Sequence, residues 1–168
     1  ILIPPSEGKS SGGEGLPWSE TDHFFKDLQR PRHEVIKALK TSMKEPELNR
    51  SKLLGVKGKK VGEATKANLI VDKSATMPAI ERYTGVLYDA LSYASLPASL
   101  QKKIDDQVVI FSGLWGTLKP KDLIPDYKLK MGAKLPHLGV LSRFWKPYLT
   151  SVLRLSNTKC VWDLLPGE

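Results

Sequence analysis

The residues of this sequence that are best suited to chemistry begin in a glycine-rich stretch near the N-terminus, which carries Ser6, Glu7 and Lys9. A hydroxyl, a carboxylate and an amine in one loop can hold a small anion and transfer a proton. The side chains that could complete such a pocket from elsewhere in the chain are Arg82, Tyr83 and Asp163. Glu7 or Asp163 would be the acid or base, whereas Lys9 and Arg82 would hold the anion. The alternative is a network of buried charges that joins this loop to the core.

Residues 8–10, Gly-Lys-Ser, resemble the end of a nucleotide-binding phosphate loop. The complete motif has a glycine five residues before Gly8, where Ile3 stands, and it continues into a helix. Here a Ser-Gly-Gly run follows instead. The pattern therefore indicates an ordinary glycine-rich surface loop over residues 6–17 and disfavours a nucleotide-hydrolysing site.

The stretch 51–69 is the most informative one for binding, because its pattern predicts a helix, a glycine hairpin and a second helix. Between positions 52 and 73 the chain has six lysines and two acidic residues. Free backbone N–H groups at such a hairpin, the positive end of the next helix and lysine charges together can bind phosphate without reading base sequence. The residues expected to do so are Gly55, Lys57, Gly58, Lys59 and Lys60. The alternative is an ordinary helical hairpin with a lysine-rich solvent face.

A second basic surface is expected farther along the chain, where residues 113–135 contain five lysines and two aspartates. The alternation of apolar and basic residues over 127–131 predicts a half-buried strand with Lys128 and Lys130 on one face. Trp115 and Leu118 are expected to pack inward. The lysines of this surface are Lys119, Lys121, Lys128, Lys130 and Lys134.

The overall charge of the 168-residue chain is +8, and the excess is unevenly distributed. The first 27 residues hold two lysines and five acidic residues, so the positive charge lies in the rest of the chain. A field of one sign attracts nucleic acid or another polyanion. DNA is therefore the expected macromolecular partner, although lysines that only keep the surface soluble would give the same composition.

Several classes of protein are disfavoured by the composition. No apolar run approaches the roughly 18 residues of a membrane helix, so no membrane partner is expected. The three histidines, His23, His33 and His137, lack metal-ligand spacing, so neither a metal site nor another cofactor is expected. Cys160 is the single cysteine, which suits a reducing compartment, and its place in an apolar run predicts a buried, unreactive thiol. The alternative is a thiol that senses peroxide, which would require exposure and a lowered pKa.

The apolar patterns predict an α/β (α+β) fold: a single mixed domain over residues 1–168 with a central short-stranded sheet, surrounding helices and a helix-hairpin-helix element. Strands are expected at 1–3, 108–111 and 160–164. Helices are expected at 31–43, 46–54, 60–69, 86–91, 97–105 and 140–154, the last one despite Pro147.

The longest recognisable motif covers residues 112–135 and begins Ser-Gly-Leu-Trp-Gly-Thr-Leu-Lys-Pro-Lys-Asp-Leu-Ile. It resembles the most characteristic segment of the YaaA family of bacterial peroxide-stress proteins. Three further blocks match in the same order, at residues 3–10, at 79–88 and at the Phe-Trp pair 144–145. The resemblance spans essentially the whole chain. Members of the family extend several tens of residues farther, so the chain is expected to lack a C-terminal part.

This resemblance implies a cytoplasmic protein that helps bacteria to survive hydrogen peroxide by limiting unincorporated iron. It also implies DNA binding through a helix-hairpin-helix and a basic cleft. The alternative function is that of an enzyme acting on a small anionic or nucleotide substrate in the pocket of the 6–9 loop, Arg82 and Asp163. Catalysis is the less favoured of the two, and the sequence leaves the oligomeric state open.

Overall fold

The computed structural model describes residues 1–153 and 160–166. Its central sheet joins β1 (Leu2–Ile3), β3 (Val109–Ser112) and β4 (Gly116–Leu118), in the order β1-β3-β4. β1 and β3 are parallel, whereas β3 and β4 form an antiparallel hairpin. β3 is largely buried, as its run of β-branched and aromatic residues predicted.

Beside β1 runs the segment 160–166, of which residues 160–164 were predicted to be a last strand. Its pairing is confined to one parallel bridge between Leu2 and Asp163. There the backbone N–H of Leu2 donates to the carbonyl of Trp162 at 2.8 Å. Cys160 precedes this bridge and is exposed, so the prediction of a buried thiol is wrong. Only a short stretch of this segment's backbone packs against the edge of the sheet, and the side chain of Cys160 remains exposed to solvent.

Three helices follow in succession: α1 (Gln29–Ser42), α2 (Glu47–Leu54) and α3 (Lys59–Leu69). Their predicted positions are confirmed to within two residues. α1 buries apolar side chains at helical spacing, because Val35, Ile36 and Leu39 lie on one face. No helix of the described residues is long and apolar enough to span a membrane.

The rest of the described chain consists of short strands and helices, of which α6 and α7 are the longest. They are β2 (Met77–Pro78), α4 (Ala79–Arg82), α5 (Val86–Leu91), α6 (Ala98–Gln107), β5 (Leu123–Ile124), β6 (Lys134–Leu135), β7 (Gly139–Val140) and α7 (Leu141–Val152). β2 pairs with β5 and β6 pairs with β7, both antiparallel, and neither pair was predicted. The predicted end of α7 at residue 154 lies outside the described residues.

The hydrophobic core centres on the β3–β4 hairpin and α7. Trp115, Leu118 and Trp145 are fully buried, so the inward packing predicted for the first two is confirmed. The indole Nε1 of Trp145 donates to the carbonyl of Gly113 at 2.9 Å. Gly116 has a φ of +74°, and a Cβ there would lie 2.9 Å from the ring of Trp145. A glycine is therefore needed at this turn for both backbone and packing reasons.

Residues 127–131, which we call the extended segment because alternate side chains are buried, belong to no strand, so the prediction of a strand is wrong. The predicted alternation holds, because Tyr127 and Leu129 are buried and Lys128 and Lys130 are more exposed. The side chain of Asn68 takes the place of a neighbouring strand. Its amide donates to the carbonyl of Lys128 and accepts from the backbone N–H of Lys128, both at 2.9 Å.

Candidate functional site

The 6–10 segment is held in place by Arg82, which is fully buried at the end of α4. The guanidinium donates from Nη1 to the carbonyl of Ser10 at 2.6 Å and from Nη2 to that of Gly12 at 2.9 Å. Its Nε donates to the carbonyl of Ile124 at 3.3 Å. The guanidinium of Arg82 therefore provides hydrogen-bond donors for two backbone carbonyls of the loop. It fixes the shape of the site but does not line the site's surface.

Lys9 lies where this loop runs antiparallel to Tyr83. Its Nζ is 4.3 Å from the ring centroid of Tyr127 and 5.3 Å from that of Tyr83, and it donates to the carbonyl of Ser6 at 3.2 Å. Loss of hydration lowers the pKa of Lys9 to about 8, an effect that Asp126 opposes and nearby cations reinforce. The loop thus presents an amine of which about a tenth is unprotonated at pH 7.

Beneath Lys9 lies a chain of buried hydroxyl groups. The hydroxyl oxygens of Tyr83 and Tyr127 are 2.6 Å apart, and Ser112 Oγ is 2.8 Å from the hydroxyl of Tyr127. Ser112 Oγ also accepts from the backbone N–H groups of Leu114 and Trp115, so its own proton points to Tyr127. Desolvation raises the pKa of Tyr83 to about 12, so both tyrosines stay neutral in the physiological range.

A groove of about 370 Å³ opens above the amine between the loop, α3 and the extended segment. We call it the Lys9 groove and define it by its charged residues: Glu7, Lys9, Lys60, Glu63, Asp126 and Lys128. Lys128 Nζ lies 2.9 Å from Glu7 Oε2 and closes one side. The proximity of Lys128 lowers the pKa of Glu7. Because its lining contains three cations and three anions, the groove suits a small polar substrate better than a row of phosphates.

A second concavity of about 430 Å³ lies on the other side of Lys130. We call it the lysine depression, and its charged residues are Lys52, Lys130 and Lys134. Its other lining residues are neutral, so its local charge is +3. It adjoins the α2–α3 hairpin, since a Cβ on Gly55 would lie 3.8 Å from Lys130 Nζ. Such a surface attracts polyanions.

The hairpin residues proposed from the sequence lie at the exposed junction of α2 and α3. Gly55 ends α2 with a φ of +67°, and Gly58 precedes α3 with a φ of +59°. Lys57, Lys59 and Lys60 are all exposed. Lys60 lines the Lys9 groove, so the hairpin borders both concavities.

Two lysines of the expected second basic surface lie apart from both concavities. Lys119 Nζ donates to the carbonyl of Asp106 at 2.6 Å, and burial lowers the pKa of Lys119. Lys121 Nζ lies 3.8 Å from a carboxylate oxygen of Glu81 and 4.8 Å above the ring of Tyr93. The structure therefore groups Lys128, Lys130 and Lys134 near the hairpin and places Lys119 and Lys121 elsewhere.

The residues of the expected enzyme pocket are likewise divided. Glu7 and Lys9 line one groove, Tyr83 lies under the amine, and Ser6 lines a small cavity next to them with Lys130. Asp163 is exposed in the 160–166 segment, where its Oδ1 accepts from the backbone N–H of Leu165 at 2.9 Å, and it lines neither concavity. No cluster of metal-ligating side chains occurs within residues 1–153 and 160–166.

Sequence reasoning missed three residues that shape the site. Ser112 and Tyr127 form the buried floor, and Asn68 anchors the extended segment to α3. Ser112 and Tyr127 both lie inside the characteristic 112–135 motif, and that motif was the one feature of the sequence that could have identified them as site residues. Nothing in the local sequence around Asn68 distinguishes it from a solvent-facing helical residue.

Comparison with known proteins places the chain in a family. A family profile described as "Peroxide stress protein YaaA" matches residues 1–168. The chain is similar to UPF0246 protein SCO2297 of Streptomyces coelicolor, with 38% identity over 91% of this chain and 58% of that protein. It is 40% identical to UPF0246 protein Cgl1995/cg2186 of Corynebacterium glutamicum, over 99% of this chain and 66% of that protein.

A third relative is the uncharacterized protein Cj0984 of Campylobacter jejuni, which is 32% identical over 91% of this chain and 61% of its own length. The chain thus spans between 58% and 66% of the length of these curated relatives. The family profile nevertheless matches it from the first residue to the last. This chain therefore belongs to the family of the peroxide stress protein YaaA.

Proposed function

We propose that this chain binds DNA, largely without sequence preference, through the lysine depression and the adjoining α2–α3 hairpin. One observation carries the proposal: Lys52, Lys130 and Lys134, from three separate segments, line one concavity whose other lining residues carry no charge. Three ammonium groups that are close together and have no carboxylate among them repel one another. A row of backbone phosphates relieves that repulsion and releases counterions.

The hairpin adds a second set of phosphate donors beside the depression. Because Gly58 has a positive φ, the chain turns sharply into α3, and the first backbone N–H groups of α3 are left without helical acceptors. Lys57 and Lys59 extend from the same turn. Contacts of this kind recognise the sugar–phosphate backbone, so they give affinity with little base preference and with a strong dependence on salt. This is the mode of a helix-hairpin-helix, which we propose for α2 and α3.

The family assignment supplies the biological setting of the proposal. We propose that the protein acts in the bacterial cytoplasm during peroxide stress and that it limits the damage caused by unincorporated iron. DNA binding suits this setting, because iron-dependent oxidation damages DNA at the places where iron is bound to it. The iron effect is testable in a peroxide-sensitive deletion strain, where expression of the protein should lower both peroxide killing and the pool of unincorporated iron.

The binding proposal is tested by titrating the protein with labelled duplex, mismatched duplex and single-stranded DNA at two salt concentrations. The substitution K52A/K130A/K134A should weaken binding to every duplex tested. Each lost phosphate contact should reduce the slope of log affinity against log salt by about 0.9. The matched control is K119A/K121A, which removes two lysines outside the depression and should change the slope little. If the two variants lose affinity equally, the depression is not the binding site.

A second candidate function is that of an enzyme acting on a small anionic substrate in the Lys9 groove. The mixed charge of the groove and the position of the Lys9 amine over two tyrosine rings favour it. Glu7 and Lys9 keep the roles of acid or base and anion ligand in this alternative. The guanidinium of Arg82 supports the loop, and Asp163 has no part in it.

A further inference from the structure

The amine of Lys9 has surroundings that differ from those of a solvent-exposed lysine. It is half-buried, it rests on the faces of Tyr127 and Tyr83, and its hydrogen bond goes to the carbonyl of Ser6. Within the described residues no carboxylate forms an ion pair with it. The groove leaves it accessible from one side. An amine fixed in this way is placed to react with a bound molecule instead of serving as a structural ion-pair partner.

The groups around Lys9 determine how much of it is unprotonated. The charged groups that face it are Asp126, Lys128, Glu7 and Arg82, with Lys60 and Glu63 across the groove. Desolvation outweighs the two acids and lowers the pKa of Lys9 from 10.5 to about 8. Near neutral pH this raises the neutral, nucleophilic fraction by about 300-fold over that of an exposed lysine.

Two further cations adjoin the amine, and one of them is paired with Glu7. Lys9 shares a small cavity with Lys128 and Lys130, and Lys130 also borders the lysine depression. A phosphate held by Lys128 or Lys130 would bring a group attached to it to the amine. The chain thus combines a nucleophile, two adjacent cations and, through Lys130, continuity with the proposed DNA surface.

We propose that Lys9 forms a reversible imine with an aldehyde that is carried next to a phosphate group. Two sources share this chemistry: the ring-opened sugar at an abasic site in DNA, and a small phosphorylated aldehyde. The DNA source rests on the proposed function, because the duplex must first lie along the lysine depression. The small-molecule source is independent of DNA binding.

The reaction balances without an oxidant or a reductant. The nitrogen lone pair of Lys9 attacks the carbonyl carbon, and a carbinolamine forms as the C=O π bond opens. One N–H proton passes from nitrogen to the alkoxide oxygen in this step. A proton from solvent then lets the hydroxyl leave as water, while the nitrogen lone pair closes a protonated C=N bond. Asp126 lines the same groove and serves as the relay for the proton that moves from nitrogen to oxygen.

The tyrosine floor favours the product. A protonated imine is a cation, and the ring face of Tyr127 at 4.3 Å attracts a cation at the position of Nζ. The neutral state of Tyr127 is maintained because burial raises its pKa well above the usual value. The floor therefore stabilises the iminium ion without introducing a negative charge that would hold Lys9 in its ammonium form.

The test is reductive trapping with cyanoborohydride. Purified protein is incubated with a duplex that contains one abasic site or, separately, with glyceraldehyde 3-phosphate, and the modified peptide is identified by mass spectrometry. We expect one adduct on Lys9 with either probe, at a rate that rises with pH and levels off above about pH 8. Lys9→Arg should lower the rate at least tenfold. Lys102→Arg, on exposed α6, should leave it unchanged.

The possible results separate this inference from the proposed function. An adduct on Lys9 with glyceraldehyde 3-phosphate in a protein that does not bind plain duplex supports the imine and overturns the DNA function. Salt-dependent binding of plain duplex, with adducts spread over exposed lysines at equal rates, overturns the imine and leaves the DNA function standing. Peptide mapping of the unsubstituted protein gives this answer even if Lys9→Arg proves unstable.

Discussion

Lys128 Nζ lies 2.9 Å from Glu7 Oε2 and joins the N-terminal loop to the extended segment across 121 positions of sequence. The Lys128 side chain is 20% exposed and that of Glu7 is 74% exposed, so water still reaches the carboxylate. A pair of this kind adds at most about 1 kcal/mol to stability. Its larger effect is on charge, because Glu7 neutralises a lysine that lines the Lys9 groove.

The first prediction is that Glu7→Gln tightens DNA binding. The change removes one negative charge and frees Lys128, which lines the Lys9 groove together with the hairpin residue Lys60. Lys128 can then contact one phosphate of a duplex bound at the hairpin, so the slope of log affinity against log salt should increase by about 0.9. The free energy of unfolding should fall by less than about 1 kcal/mol. Fluorescence titration at several salt concentrations measures the first effect and urea denaturation the second.

Glu14→Gln is the matched control, because it removes the same charge from an exposed loop position without a lysine partner among the described residues. It should raise DNA affinity only through the overall electrostatic field of the protein, and it should leave the slope of log affinity against log salt nearly unchanged. Equal effects of the two substitutions would show that Lys128 does not contact phosphate.

The second prediction concerns Arg82, whose guanidinium donates to three backbone carbonyls inside the protein. Arg82→Met leaves these acceptors without partners and should lower the free energy of unfolding by about 3 kcal/mol. Chemical denaturation measures the loss. Arg143→Met, at an exposed position of α7, should cost less than about 0.5 kcal/mol. A similar cost at both positions would mean that Arg82 does not hold the loop.

The third prediction is a loss of stability in mild acid that is caused by His23. The ring is 3% exposed, and desolvation, reinforced by the charge of Arg32, lowers the pKa of His23 to about 4. Thr21 donates its hydroxyl proton to Trp18, so its oxygen accepts from His23 Nε2, while Gln29 donates to Nδ1. These partners fit the neutral ring.

The unfolded chain takes up this proton near pH 6.5, whereas the folded chain resists it until about pH 4. Protonation therefore favours unfolding, and the stability that is present above pH 6.5 declines as the pH falls towards 4. The loss should reach about 3 kcal/mol. His23→Gln should remove this part of the pH dependence, whereas His33→Gln, at an exposed position, should not. Unfolding curves at intervals between pH 7 and 4 make the comparison.

The sequence was informative wherever a local pattern determines the structure. The spacing of Val35, Ile36 and Leu39 predicted α1, and Gly55 and Gly58 marked the ends of the neighbouring helices. It was less informative where distant side chains replace backbone partners. The extended segment at 127–131 was predicted to be a strand, but the backbone of Lys128 at its centre bonds to the side chain of Asn68.

The candidate site depends even more on distant parts of the chain. Lys9 was a candidate from the start, but its desolvation depends on Tyr83 and Tyr127, which meet only in the fold. The lysines at 119–134 form one set in the sequence and two in space, because Lys119 and Lys121 reach Asp106 and Glu81. Charge counts predict that a protein attracts polyanions, whereas only the fold shows where the lysines gather.

The fourth prediction tests the hairpin itself. Replacing Lys57, Lys59 and Lys60 by alanine should weaken binding to every duplex, because these contacts read phosphate and not bases. Three lost contacts should reduce the salt slope by about 2 to 3. The fold should survive, since all three side chains are exposed. Circular dichroism and thermal melting verify that, and titration at several salt concentrations measures the slope.

Gly58→Val examines the backbone separately from the charges. No atom lies within 4 Å of a Cβ at this position, so the substitution causes no clash, but its φ of +59° strains a β-branched residue. The turn should open and move the first N–H groups of α3 away from phosphate, so affinity should fall while the net charge stays the same. Val86, another exposed position at the start of a helix, offers the comparison Val86→Ala, which should not affect binding.

The variant in which Lys57, Lys59 and Lys60 are replaced by alanine can contradict the proposal for the hairpin. If it folds and keeps the affinity and the salt slope of the unsubstituted protein, the hairpin is excluded from the binding site, and the lysine depression is the only contact surface that the proposal retains.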